Sequence, residues 1–369
     1  MLCSLGIPAW AAAQSGTTRK PAPRNGTTHH KSTKATASKP AAKPATAAAA
    51  ARPAATPAAV AKPAAPTRTS LARARAAAAA RAKLAVAQRQ QAAAMTPRFK
   101  RDLLGNLVPD IRAAAAIVYD PQTGEVLWEE NSHDQRSIAS ITKVMTAVTF
   151  MADAPDLTQR VAVTPIDVKN ASVTHIRAGQ IISYDDLLHL LLIASDNAAA
   201  RVLARTSEGG TAAFVGRMNE MAAHLGLTNT HYTDPSGLES TNVSSAYDLS
   251  HLIAFAASDA TISNVMRTET YEAQTSTGPV AIHSTNKLLG TDVDVRGGKT
   301  GFISKAGYCL ATLLQIPQGS QVAVVVLGAA NSTTRFWEAR HLFNWVVGRA
   351  HGLTGGEPKE EVASLEIIK

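Results

Sequence analysis

The sequence predicts an α+β domain: one antiparallel sheet whose first and last strands meet, covered by helices that form a helical subdomain, with a disordered tail in front. Three observations lead there. Apolar alternation typical of strands occurs over residues 114–128 and again over residues 306–327. The apolar residues between these stretches follow helical spacing, so strands sit at both ends of the folded segment with helices between them. Composition then divides the chain. Residues 1–101 carry 18 of the 37 basic residues and none of the 28 acidic ones, so the formal charge of +9 combines +18 in the first part with −9 in the rest.

Met1–Ala13 is a short apolar run ending in small residues before Gln14-Ser15. It resembles the apolar region and cleavage site of a secretory signal, with the cut expected after Ala13. The positive region that usually precedes such a run is missing, as expected if translation starts upstream. Cys3 does not fit a lipoprotein signal, because the apolar run follows it. Cys309 is then the one cysteine left, and a single thiol makes no internal disulfide. No later stretch of about 20 apolar residues could span a bilayer. From residue 14 to 103 the chain is rich in Ala, Pro and Lys, with no aromatic residue between Ala11 and Arg98. Such a segment cannot bury enough apolar surface to offset its ordering entropy, and reads as a disordered basic linker. Leu71–Met95 lacks Pro and Gly, so transient helix is expected there.

The folded domain is expected over residues 104–350, followed by a polar tail over 351–369. Ala114–Tyr119 and Glu125–Trp128 alternate around Pro121-Gln-Thr-Gly124 and read as a hairpin. Ile141, Val144, Met145 and Val148 share a helical face, which predicts a buried helix over Ser140–Met151. Ser183-Tyr-Asp-Asp186 is an N-cap signal for a helix over Leu187–Ala194. Thr211 and Ser244 or Ser245 are candidate caps of two more helices. Ala306–Gln315 and Gln321–Leu327 read as adjacent buried strands, and a last helix is expected over Thr334–Val347.

Three short motifs carry candidate chemistry. Ser140-Ile-Thr-Lys143 places serine and lysine on one face of the first turn of a helix, where unpaired N–H groups can also hold an oxyanion. A lysine becomes a base for serine only when burial or a nearby cation destabilises its ammonium. The pattern alone is weak, since Ser284-Thr-Asn-Lys287 repeats it. Ser195-Asp196-Asn197 falls at a helix–helix turn, where a plain helix cap would use the same residues. Lys299-Thr300-Gly301 follows the strand Val295–Lys299; a glycine there marks close approach of another backbone, or simply a turn.

Together and in this order, the three motifs resemble those of penicillin-binding proteins and class A β-lactamases. The wording around them, RSIASITKVMTA, LLLIASDNAAA, TDPSGLESTNVSSAYDL and GGKTGFISKAGYCLA, is similar to the D-alanyl-D-alanine carboxypeptidase and endopeptidase family of low-molecular-mass penicillin-binding proteins. The likeness covers about 112–347 and implies a β-lactamase/transpeptidase-like fold. It implies that Ser140 attacks the carbonyl of the penultimate D-alanine and that Lys143 takes its proton. Ser195 would relay a proton to the leaving amine, and Asn197 would hold Lys143 and the substrate amide. Lys299 would supply positive charge that lowers the pKa of its neighbours, and Thr300 would bind the substrate carboxylate. The N–H groups of Ser140 and Phe302 would form the oxyanion hole beside Gly301, and Lys287 would lie near the carboxylate. Substrates would be peptidoglycan stem peptides in a periplasmic or other extracytoplasmic space, with β-lactams as covalent inhibitors and no cofactor or metal. Only 68 residues follow Gly301, too few for strands, a helix and a further domain, which resembles the endopeptidase branch, penicillin-binding protein 7. Trimming of terminal D-alanine is the alternative within the family.

Other readings fare worse. A β-lactamase needs a carboxylate for its deacylating water, and the one candidate, Glu239-Ser-Thr-Asn242, lacks the usual Glu-x-x-Leu-Asn pattern. A zinc peptidase needs His-x-His or His-Glu-x-x-His, and neither occurs. The basic linker could neutralise nucleic-acid phosphates, but the export signal and the acidic domain argue against that partner. In the envelope the same linker would act as a flexible spacer, or contact anionic polymers and membranes.

Overall fold

The computed structural model describes residues 68–353, Gln318 apart. The expected signal segment, the linker up to residue 67 and the tail from 354 lie outside the described residues. Helix α1 (Arg68–Met95) is continuous where only transient helix was expected inside a disordered linker. Its Ala- and Arg-rich sequence without Pro or Gly supplies the propensity, and its side chains from Arg75 to Arg89 are exposed. Strands β1 (Phe99–Arg101) and β2 (Leu107–Pro109) pair as a hairpin. Ordered structure therefore starts ahead of the expected boundary at 104.

The expected first hairpin follows as β3 (Ala115–Asp120) and β4 (Glu125–Glu130). A two-residue strand β5 (Arg136–Ser137) leads into a single 3₁₀ turn, Ala139–Ile141, and helix α2 (Thr142–Ala152). Next come β6 (Arg160–Ala162), α3 (Pro165–Val168), β7 (Ile181–Ser183) and α4 (Tyr184–Leu192). Ser183 caps α4 by accepting from the Asp186 N–H at 3.1 Å, as its sequence indicated. Helix α5 (Asn197–Thr206) is followed by α6 (Gly210–His224). Thr211 does not cap α6: Gly209, at φ +72°, takes the N-cap position, a left-handed conformation that suits glycine and strains threonine.

Strand β8 (Val243–Ser244) pairs with β5, and Ser245 caps α7 (Ala246–Ser258), which leads to α8 (Ala260–Arg267). Strands β9 (Thr270–Thr275), β10 (Gly278–His283), β11 (Asp294–Ile303), β12 (Gly307–Gln315) and β13 (Gln321–Ala329) precede the last helix, α9 (Ser332–Leu353). The main sheet runs β11-β12-β13-β3-β4, antiparallel throughout, so the first strands of the domain and the last do meet. A second sheet, β10-β9-β7-β6, was not foreseen.

Alternation decides the layers. Ala115, Ile117, Ala311, Leu313, Val325 and Leu327 join the larger core with residues of α2, α4, α5 and α7. Their neighbours Ala116, Val118, Leu310, Val324 and Val326 pack with Phe336, Leu342 and Phe343 of α9 on the opposite face. Helices thus cover both faces of the sheet. The helical subdomain of α2, α4, α5 and α6 sits between its strands in sequence, and the 3₁₀ turn packs directly on β11.

Candidate active site

Ser140 lies in the 3₁₀ turn just ahead of α2. The turn is tightly held. Ala139 has φ +49°, a left-handed conformation that costs a non-glycine residue on the order of 1–3 kcal/mol unless its surroundings enforce it. Thr142 Oγ1 donates to the Ala139 carbonyl at 2.8 Å, and the Ile138 N–H donates to the Asn242 carbonyl at 3.2 Å. Two glycines press against the turn. A Cβ on Gly237 would lie 2.0 Å from the Ala139 oxygen, and one on Gly301 would lie 2.8 Å from the Ile138 oxygen and 3.2 Å from the Ser140 nitrogen. Gly301 is thus a point of close backbone approach inside β11. The strand expected to end at Lys299 continues through the whole Lys-Thr-Gly motif to Ile303.

Lys143 is fully buried, one turn after Ser140. Its Nζ is 2.9 Å from Ser140 Oγ and 2.6 Å from Asn197 Oδ1, and it also donates to the Ser236 carbonyl. Burial pushes its pKa down to about 7, with Asp234 and Asp196 pulling the other way and Arg201 adding to the fall. The three partners suit a neutral amine. Such a group has two N–H donors for the two pure acceptors, Asn197 Oδ1 and the Ser236 carbonyl, and one lone pair for the Ser140 hydroxyl.

Ser195 adopts φ +60° in the turn between α4 and α5. The cap and the chemistry share this motif. Asp196 caps α5, its Oδ1 accepting from the Ala199 N–H at 2.9 Å, while its Oδ2 is 3.1 Å from His175 Nδ1. Asn197 donates from Nδ2 to the Ala171 carbonyl at 2.6 Å, which aims its Oδ1 at Lys143. Lys299, also buried, donates to Ser195 Oγ and to the Thr300 carbonyl, both at 2.8 Å. Burial holds its pKa well below the ordinary lysine value, and the Lys143 and Arg335 charges push it further down.

Thr300 Oγ1 donates to Thr285 Oγ1 at 2.7 Å. Phe302 is half-exposed and stacks on Tyr308 at 4.2 Å between ring centroids. Lys287 is exposed, and Thr285, two residues earlier, is the side chain of that segment that hydrogen-bonds Thr300. Ser284 accepts from the Asn286 N–H at 3.1 Å, so the second Ser-x-x-Lys is a local turn. Glu239 is exposed and uses its N–H, donating to Asp234 Oδ2 at 2.9 Å.

Four contributors escaped the sequence reading. Asp234 organises the loop before β8, accepting from the N–H groups of Ser236, Gly237 and Glu239 and from Asn242 Nδ2. That loop presents the Ser236 carbonyl to Lys143 and the Pro235 carbonyl to Thr146. Asp-Pro-Ser-Gly is a turn signature, so its shape was readable though its target was not. Thr285 had no signal beyond its place in a polar run. Arg335 of α9 donates to the Gly301 and Cys309 carbonyls at 3.0 and 3.2 Å, placing a buried cation behind β11. Among the described residues no group of three or more His, Cys, Asp or Glu could hold a metal.

A serine hydroxyl against a lysine of depressed pKa, on a helix start that packs on an edge strand, defines a serine hydrolase of the serine–lysine kind. Residues 104–331 match the family model described as D-alanyl-D-alanine carboxypeptidase, and the chain belongs to that peptidase family. It is similar to the D-alanyl-D-alanine endopeptidase of Pseudomonas aeruginosa, 35% identical over 65% of this chain and 79% of that one. The endopeptidase of Escherichia coli is 33% identical over 64% of this chain and 78% of its own. A D-alanyl-D-alanine carboxypeptidase of Bacillus subtilis is 30% identical over 70% of this chain and 68% of that one. Among solved structures, a Streptomyces DD-transpeptidase matches with TM-score 0.61 and 28% identity, covering 64% of this chain and 97% of that one. The fold is that of the DD-transpeptidases and penicillin-binding proteins.

Proposed function

We propose that this enzyme is a D-alanyl-D-alanine endopeptidase that cuts peptidoglycan cross-links through an acyl-enzyme on Ser140. The observation that carries the reading is the hydrogen-bonded set Ser140–Lys143–Asn197 beside Ser195–Lys299. Neutral Lys143 takes the Ser140 proton as Oγ attacks the D-alanyl carbonyl. The oxyanion forms between the N–H groups of Ser140 and Phe302. As the peptide bond breaks, the proton held by Lys143 passes through the hydroxyl of Ser195, held by Lys299, to the leaving amine, which returns Lys143 to its neutral form, while Thr300 orients the substrate. Water then gives a proton to the neutral Lys143 as it attacks the ester, and Lys143 returns that proton to Ser140 Oγ as the ester bond breaks, freeing the acid and restoring the serine. A β-lactam carbonyl would enter the same site and stall as the ester.

Two observations favour cross-links over terminal D-alanine. Relatives named endopeptidase share 33–35% identity over 74–79% of their length. Lys287, the basic residue of the Thr285 segment, would also hold a small free carboxylate only as a point charge, without the bidentate grip of arginine. Work on peptidoglycan would put the enzyme in the periplasm or another extracytoplasmic space, and the resemblance of Met1–Ala13 to a secretory signal supports that reading. The basic linker would then act as a spacer ahead of the peptidase domain, or contact anionic envelope polymers and membranes. Digestion of defined cross-linked dimers and monomeric pentapeptides, with products weighed by mass spectrometry, tests the reading: dimers should fall to monomers. Release of D-alanine from pentapeptide with dimers left intact would make it a carboxypeptidase.

A further inference from the structure

The β1–β2 hairpin presents apolar residues at its tip. Leu103 is fully exposed and Leu104 is 88% exposed, with Phe99 and Leu107 at 51% and 58% on the strands below. Water-facing turns ordinarily carry polar residues; here two adjacent leucines occupy one. The turn is fixed. Asp102 Oδ1 accepts from the Leu104 and Asn106 N–H groups at 2.9 and 2.8 Å, and Arg101 donates to the Gly105 carbonyl at 2.6 Å. The base of the hairpin is fastened to α9. His341 Nε2 lies 3.0 Å from the Arg98 carbonyl, the Phe99 ring meets the His341 ring edge-on at 5.1 Å, and Arg98 pairs with Asp110. The leucines are therefore held outward by a built turn.

Charge indicates what they meet. Arg75, Arg81, Lys83 and Arg89 of α1 and Arg101 beside the tip are exposed, and no acidic residue precedes Asp102. Lys100 is already paired with Glu130 at 2.8 Å, so the unspent charge lies on α1 and Arg101. An anionic polymer would satisfy these cations but offers leucine nothing. An apolar protein groove would take the leucines but has no use for the basic segment. A bilayer with anionic headgroups accommodates both. No helix among the described residues is long and apolar enough to cross such a bilayer.

We propose that the β1–β2 hairpin is a membrane-docking wedge: Leu103 and Leu104 enter the headgroup–acyl boundary of an anionic phospholipid bilayer, and Arg101 with the α1 cations contacts the headgroup phosphates. The test sediments the full chain with vesicles of phosphatidylglycerol and phosphatidylethanolamine, and with phosphatidylcholine alone. The wild-type chain binds the anionic vesicles. The double variant Leu103→Ser/Leu104→Ser partitions about 100-fold less, as expected for withdrawing two leucines from an apolar phase. It keeps the wild-type melting temperature and its turnover of a soluble substrate. A tryptophan introduced as Leu104→Trp is quenched by lipids brominated on their acyl chains. Equal binding by wild type and double variant would leave the basic segment as the sole contact and overturn the proposal. So would failure of the wild type to bind anionic vesicles, or a change from dimer to monomer in the double variant, which would assign the tip to a second copy of the chain.

Discussion

The base function of Lys143 makes a quantitative prediction about pH. A lysine at the ordinary 10.5 is unprotonated in about one molecule in 3,000 at pH 7, whereas one lowered to about 7 is unprotonated in about half. Burial therefore supplies on the order of 10³-fold more free base at neutral pH, within the range that general bases contribute. Only the neutral form can take the Ser140 proton, so the acylation rate should rise with pH, about tenfold per unit below 7, and level off above it. The assay is the second-order rate of labelling by a fluorescent penicillin across a series of buffers from about pH 5 to 9. Lys143→Arg keeps length and charge but holds a proton throughout that range. It should label about 10³-fold more slowly at pH 7 and show no plateau. A rate independent of pH from acid to neutral, or an Arg variant within about tenfold of wild type, would refute the assignment of Lys143 as base.

Other outcomes follow from the same geometry. Ser140→Ala should abolish labelling with the circular dichroism spectrum unchanged, and label recovered on Ser284 would contradict the assignment. Lys287→Ala, at an exposed position, should leave the labelling rate within about twofold, as for a screened surface charge. Gly301→Ala should slow labelling about 100-fold with little change in far-UV spectrum, because the new Cβ must displace the Ile138 carbonyl beside Ser140. Lys143→Met should alter how stability depends on pH. With its pKa near 7 folded and 10.5 unfolded, the unfolded chain binds the extra proton between those values, so wild-type stability gains with rising pH across that window and carries the full penalty below it. Denaturant titrations should show wild type gaining on the order of 5 kcal/mol relative to Lys143→Met between about pH 7 and 10.5.

The elements whose apolar period is regular were legible. The β3–β4 hairpin, the paired β12 and β13 and the caps of α4 and α7 lie where alternation and Ser side chains put them. The second sheet was not legible, because β6 and β7 are three residues each and β9 (Thr270–Thr275) reads as a polar run. Motif residues could be named because each of Ser140, Lys143, Ser195, Asn197 and Lys299 belongs to a short string. The partners outside the motifs could not, since Ser236, Thr285 and Arg335 come from loops and a helix remote in sequence. Lys287 was named only by a loose likeness in spacing, and the fold leaves it exposed.

The site gathers in one place features that oppose folding. Two lysines are fully buried, and Ala139 and Ser195 adopt left-handed backbone without being glycine. Each is costly alone, and each serves the same end. Ala139 turns the chain so that Ser140 points at Lys143 from a helix start. Ser195 turns it so that Asp196 can cap α5 while Asn197 faces Lys143 and Ser195 faces Lys299. The burial that depresses Lys143 is completed by backbone, since Gly237 and Gly301 bring main chain against the nucleophile turn where any side chain would hold it away. Replacing buried carbonyls and amides by water would restore the lysine to its ordinary pKa and remove the base. The strain is therefore a condition of the chemistry, and the surrounding sheet and helices, which share one continuous core with the turn, are what keep it in place.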